Sequence, residues 1–130
     1  MPLKHTNPDG VATPNGYTQV VEASGQRLIF VAGQTAVNAQ GEVVGNDLAS
    51  QAEQVFANLK TCLESQGASF ADVTKMTTFV VNYKPEDRAV IAAARAKHLP
   101  ADALPASTLL GVQALARPEL LIEIEATAVL

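Results

Sequence analysis

The stretch Leu120-Leu121-Ile122-Glu123-Ile124-Glu125-Ala126-Thr127-Ala128-Val129 decides how this chain folds. Side chains of a β-strand alternate between the two faces of its sheet. Period two therefore puts Leu120, Ile122, Ile124, Ala126 and Ala128 on one face and Leu121, Glu123, Glu125 and Thr127 on the other. The first face suits a packed core and the second carries charge. A strand of this kind needs a layer over its apolar side.

Moving back along the chain, Ser107 to Leu115 reads as another strand, joined to the last by a turn around Ala116-Arg117-Pro118-Glu119. Val73 to Tyr83 is the longest β candidate, with Lys75, Thr77, Phe79 and Val81 alternating against Thr74, Met76, Thr78 and Val80. Pro85 fits the first turn of an Ala-rich helix that runs to about Leu99 and is ended by Pro100; Val90, Ile91, Ala94 and Leu99 are available for packing. His98, near its C-terminus, reads as a surface residue compatible with the helix dipole. Upstream, Ala52, Val55, Phe56, Leu59, Cys62 and Leu63 recur at three- and four-residue steps, with Gln51, Glu53, Gln54, Lys60 and Glu64 on the other side. This is an amphipathic helix with Asp47 as N-cap and Gly67 as stop, and Cys62 on its apolar stripe is a buried, inert thiol.

Tyr17 to Ala23 and Arg27 to Gln34, parted by Ser24-Gly25-Gln26, read as an antiparallel hairpin. Thr35 to Asn46 is a loop, and the residues up to about Asn15 form a polar, proline-bearing start. The order is ββαβαββ, an α+β arrangement in a single domain, residues 1–130, with both helices on one sheet face. Leu121, Val129 and either Phe79 or Met76 would then be exposed in a monomer, so association through the open face is expected.

Composition narrows the function. In 130 residues, nine Lys plus Arg against thirteen Asp plus Glu give a net charge of −4, which argues against a nucleic-acid partner. One cysteine makes no internal disulfide, and His5, Cys62 and His98 lack zinc-site spacing, so no metal is expected. The N-terminus lacks the apolar core of a signal peptide and no apolar run is long enough to span a membrane; a soluble, cytoplasmic protein without a membrane partner is expected. Asn38 to Gly45 has glycines but no Gly-Lys-Ser phosphate-loop pattern.

Several motifs carry a resemblance. They are Asn15-Gly16-Tyr17-Thr18-Gln19, Val31-Ala32-Gly33-Gln34, Val73-Thr74-Lys75-Met76-Thr77-Thr78-Phe79-Val80, and Pro105-Ala106 followed across a hairpin by Ile122-Glu123-Ile124-Glu125-Ala126. In this order and spacing the chain resembles the RidA/YjgF family of reactive-intermediate deaminases, once labelled endoribonucleases, over nearly its whole length. The resemblance implies a chorismate-mutase-like fold, a homotrimer with a central barrel, and ligand clefts between subunits. It also implies hydrolysis of small 2-imino acids to 2-keto acids and ammonia with no cofactor.

Carried over by position, the family's site tyrosine falls on Tyr17, its glycine on Gly33 and its glutamate on Glu123. The arginine that clamps the substrate carboxylate falls on Ser107. A guanidinium offers a carboxylate two parallel charged hydrogen bonds; a hydroxyl offers one neutral donor. The chain therefore reads as an arginine-lacking member, binding or hydrolysing an imine- or enamine-type metabolite other than a standard 2-imino acid. Ser107 and Thr108 are candidate ligand donors. Glu123 is the candidate general acid/base, against the plainer reading of a charge lining a wet barrel. Leu109 and Val90 replace smaller or more polar family residues and make the cleft less polar. Arg117, beside Pro118 in a turn, is a surface charge rather than a substitute clamp. A non-catalytic trimer that senses a small molecule or contacts a protein is the alternative.

Overall fold

The computed structural model describes residues 3–130; Met1 and Pro2, the first residues of the polar start, lie outside it. Strands β1 (Leu3–Thr6), β2 (Val20–Ala23) and β3 (Leu28–Thr35) precede helix α1 (Leu48–Glu64). Then come β4 (Val73–Val81), α2 (Asp87–His98), β5 (Ala106–Val112) and β6 (Ile122–Val129). The main sheet has the order β3-β6-β4-β5. In it β6 is antiparallel to both neighbours, and β4 and β5 are parallel, joined by α2.

The alternation in β6 is as read from the sequence. Ile122, Ile124, Ala126 and Ala128 are buried together with Ile29, Val31, Met76 and Val80, under Val55, Phe56 and Leu59 of α1 and Ile91 and Ala94 of α2. Asp47 caps α1, its Oδ1 accepting from the Ser50 N–H at 2.8 Å. Gly67 takes the left-handed conformation (φ +73°) that turns the chain out of the helix.

Strand pairing differs from the sequence reading in two places. First, β2 pairs with β1, Leu3 opposite Ala23 and Thr6 opposite Val20, so the polar start is part of the fold and the expected β2–β3 hairpin does not form. The segment between them caps the end of β6 instead: the N–H groups of Gln26 and Arg27 both donate to Leu130 O, at 2.9 and 3.0 Å. Second, β5 and β6 are not hairpin partners, because β4 lies between them. The place of β6 between β3 and β4 sets Ile122 and Ile124 under the helix layer.

Two side chains depart from expectation, and a third alternative is settled. Gln51, assigned to the polar side of α1, is fully buried. Its Nε2 donates to Gly45 O (3.1 Å) and Glu119 O (2.9 Å), and its Oε1 accepts from the Leu121 N–H (2.8 Å), which satisfies three loop groups that enter the core. His98 is half-buried, stacked on Phe56 at 4.9 Å, with Nε2 3.1 Å from Glu53 Oε2, so it belongs to the α1–α2 contact rather than the surface. Of Phe79 and Met76, Met76 is buried and Phe79 faces the open side. The most exposed apolar side chains there are Phe30 (74%) and Leu28 (59%).

Gln51→Leu keeps most of the volume but strands two carbonyls and one N–H. It should lower stability by about 2 kcal/mol or more, seen as a lower urea midpoint at unchanged slope.

Candidate functional site

The loop before β2 is held against the start of β5. Thr18 pairs with Ala106 in a parallel bridge, its N–H donating to Pro105 O (3.1 Å) and its hydroxyl to Leu104 O (2.6 Å). Gly16, at φ +83°, lets the chain bend back so that its carbonyl reaches α2. The result is a cavity of about 510 Å³ between this loop, the underside of β4 and β5, and α2. Tyr17, Tyr83, Ile91, Leu99, Leu104 and Leu109 supply most of its apolar wall.

Ser107 lies opposite Met76 in the β4–β5 register, so its side chain points toward α2 and into this cavity. There it meets Arg95, which the sequence reading did not single out. Arg95 Nη1 donates to Ser107 Oγ at 3.3 Å and lies 3.4 Å from Met76 Sδ, while Nη2 donates to Gly16 O at 3.0 Å. Burial pushes the guanidinium's pKa below its ordinary value, since desolvation penalises the charged form. The ion pairs among the described residues both use Glu53, with Lys97 and His98, so no carboxylate partners Arg95. A signal was present in the sequence: Ile91, Arg95 and Leu99 are spaced four apart, and a cation on an otherwise apolar helical stripe needs a reason.

The remaining candidates lie on the opposite side of the sheet. Gly33 sits in a bulge of β3, between Val31 and Gln34, where the ladder to β6 shifts register. A Cβ at Gly33 would run into the Glu123 carboxylate, so the glycine makes room for that side chain. Thr108, one residue after Ser107, faces the open side as well, and its Oγ1 accepts from Lys75 Nζ at 2.8 Å. Within one chain, Tyr17 and Ser107 thus share one cavity and Gly33 and Glu123 share another site across the sheet. Arg117 donates to Gly41 O at 2.9 Å, which ties down a loop. Among the described residues no group of three His, Cys, Asp or Glu could hold a metal, and no helix is long and apolar enough to cross a membrane.

A mixed four-stranded sheet with two helices on one face and a cavity beneath the second helix is an α+β architecture. The family model described as Endoribonuclease L-PSP matches residues 8–130, and the chain belongs to this family, which includes RidA and YjgF. A Rid-family protein from Yersinia pestis, described as of unknown function, is 44% identical with a TM-score of 0.90, both chains being covered in full. The YjgF gene product of E. coli is 34% identical with a TM-score of 0.67 over 87% of each chain. A 2-iminobutanoate/2-iminopropanoate deaminase of Dermatophagoides farinae is 31% identical over 68 residues, 52% of each sequence. The chain spans about half the length of the curated relatives it matches.

The Gly33–Glu123 contact is open to a direct test. Gly33→Ala should cost about 1–3 kcal/mol by overpacking, and the cost should shrink sharply in a Glu123→Ala background. A double-mutant cycle by urea denaturation checks this.

Proposed function

We propose that this protein binds a small imine- or enamine-type metabolite and hydrolyses it without a cofactor, at clefts between the subunits of a homotrimer. The observation that carries the reading is the division of the candidate residues. Tyr17 and Ser107 line one cavity, whereas Glu123 and Gly33 meet on the other face of the same sheet. A complete site then needs the Glu123 patch of one copy to face the Tyr17–Ser107 cavity of another. The exposed Phe30 and Leu28, further along β3 on the same open face, supply apolar area for such a contact. In the cleft, Glu123 takes a proton from a water as its oxygen attacks the C=N carbon and returns it to the nitrogen that receives the π electrons. Glu123 then takes the proton of the new hydroxyl as C=O forms and the C–N bond breaks, and passes it to the departing amine. Ser107 and the Gly33 backbone orient the ligand.

Ser107 cannot hold a carboxylate from β5 as an arginine does, so standard 2-imino acids should be poor substrates. A second reading, a non-catalytic trimer that senses a small molecule or contacts a protein, is favoured by Ser107 standing where the family's arginine would be.

Imines generated in situ by an amino-acid oxidase provide the assay. Iminopyruvate should turn over more slowly than with an arginine-bearing relative run in parallel. Glu123→Ala should lower the rate on the best imine by about 100-fold. No acceleration by wild type on any imine would leave the sensing reading. Light scattering should give a mass three times that of the chain, and a stable monomer at micromolar concentration would remove the intersubunit cleft.

A further inference from the structure

We propose that the α2 cavity is a carboxylate site in which Arg95 is the clamp, and that it takes a monocarboxylate with an apolar body. The inference deepens the preceding reading and rests on it for the view that this cavity is a small-molecule site; it adds the class of ligand and the residue that selects it.

The charged residues lining the cavity are Arg88 and Arg95, and no described Asp or Glu lines it. The two arginines stand seven residues apart on α2, two turns along one face and roughly 10 Å along the axis. In a chain of net charge −4, a wall to which the chain itself contributes only cations is a local reversal of sign. Arg88 is exposed, at the rim, and acts by attraction as a ligand approaches. Arg95 is deeper. Its guanidinium is held from two sides by neutral oxygens, Ser107 Oγ and Gly16 O, which fix the plane of the fork without neutralising it. A desolvated cation held by neutral groups is costly, and a carboxylate offsets that cost with two parallel charged hydrogen bonds.

Thr78 is buried against the cavity wall, its hydroxyl without a hydrogen-bonding partner in the protein. Around these groups the lining is aromatic and aliphatic, and about 510 Å³ is far more than a carboxylate alone fills. The rest of the ligand is therefore apolar. Because the Arg95 stem rises from α2 and not from β5, the carboxylate it holds lies on the helix side of Ser107. A ligand so held presents a different part of itself to the cleft than one clamped from the strand.

Benzoate and its neutral isostere benzamide test this on the intact protein by titration calorimetry and amide NMR shifts, with no imine present. Benzoate should bind saturably in the millimolar range or tighter, at least about tenfold better than benzamide, with shifts centred on α2 and β5. Arg95→Gln should remove that preference. Arg95→Lys, which keeps the charge but not the fork, should recover only part of it.

Equal binding of benzoate and benzamide by wild type, or no saturable binding of benzoate, overturns the proposal whether or not any variant folds. So does inorganic phosphate displacing benzoate at comparable concentration, since the cavity would then be a general anion site. The assay does not involve turnover. Benzoate binding retained by a protein that hydrolyses no imine would sink the catalytic reading alone, and imine hydrolysis without carboxylate preference would sink this one alone.

Discussion

β6 has one face that water cannot be allowed to touch, and that constraint orders the rest of the molecule. Ile122, Ile124, Ala126 and Ala128 are buried in a row, and a row of that kind is best covered at the centre of a sheet with helices above it. β6 lies there, bonded on both edges, and β3 and β4 are fixed by its register. With β4 occupied on one side, its other edge is left for β5, and α2 is the crossover that brings β5 round in parallel. The cavity lies beneath that crossover. The position of the candidate site thus follows from the packing needs of a strand that contributes only to the site's other half.

The parts of this architecture legible in the sequence are those carried by local periodicity. The stripe Ala52, Val55, Phe56, Leu59, Leu63 specifies α1, and Asp47 and Gly67 mark its ends because capping and left-handed backbone are local physics. The two faces of β6 follow from alternation alone. Which strand lies beside which is not local. Alternation says that a strand has an inside, and nothing about its neighbour, so the pairings of β2 and β5 with adjacent segments were wrong although the elements themselves exist. The same limit hid Gln51. Its amide sits on the polar side by the helical count, but three loop groups converge on it from Gly45, Glu119 and Leu121.

The site divides along the same line. Tyr17, Gly33, Ser107 and Glu123 were found by motif, which reports position in the chain and not side of the sheet. Period two separates Ser107 from Thr108, and only the register shows that Ser107 is the one turned toward α2. Arg95 lay outside every motif. What marked it was a guanidinium on the stripe between Ile91 and Leu99, a conflict between composition and pattern. Such local conflicts are where binding chemistry is best sought when the family's usual residue has changed.

The strand order also has a consequence for how the chain is made. β6 follows every other strand in the sequence yet occupies the interior of the sheet. As the polypeptide leaves the ribosome, β3, β4 and β5 are complete while the slot between β3 and β4 is still empty. Until β6 arrives, two strand edges and the underside of both helices stand open, which are the features that invite wrong pairing. The β4-α2-β5 unit, which carries Arg95 and Ser107, leaves the ribosome whole before β6 does. The residues of the pocket wall are therefore all synthesised before the strand that closes the hydrophobic centre of the molecule.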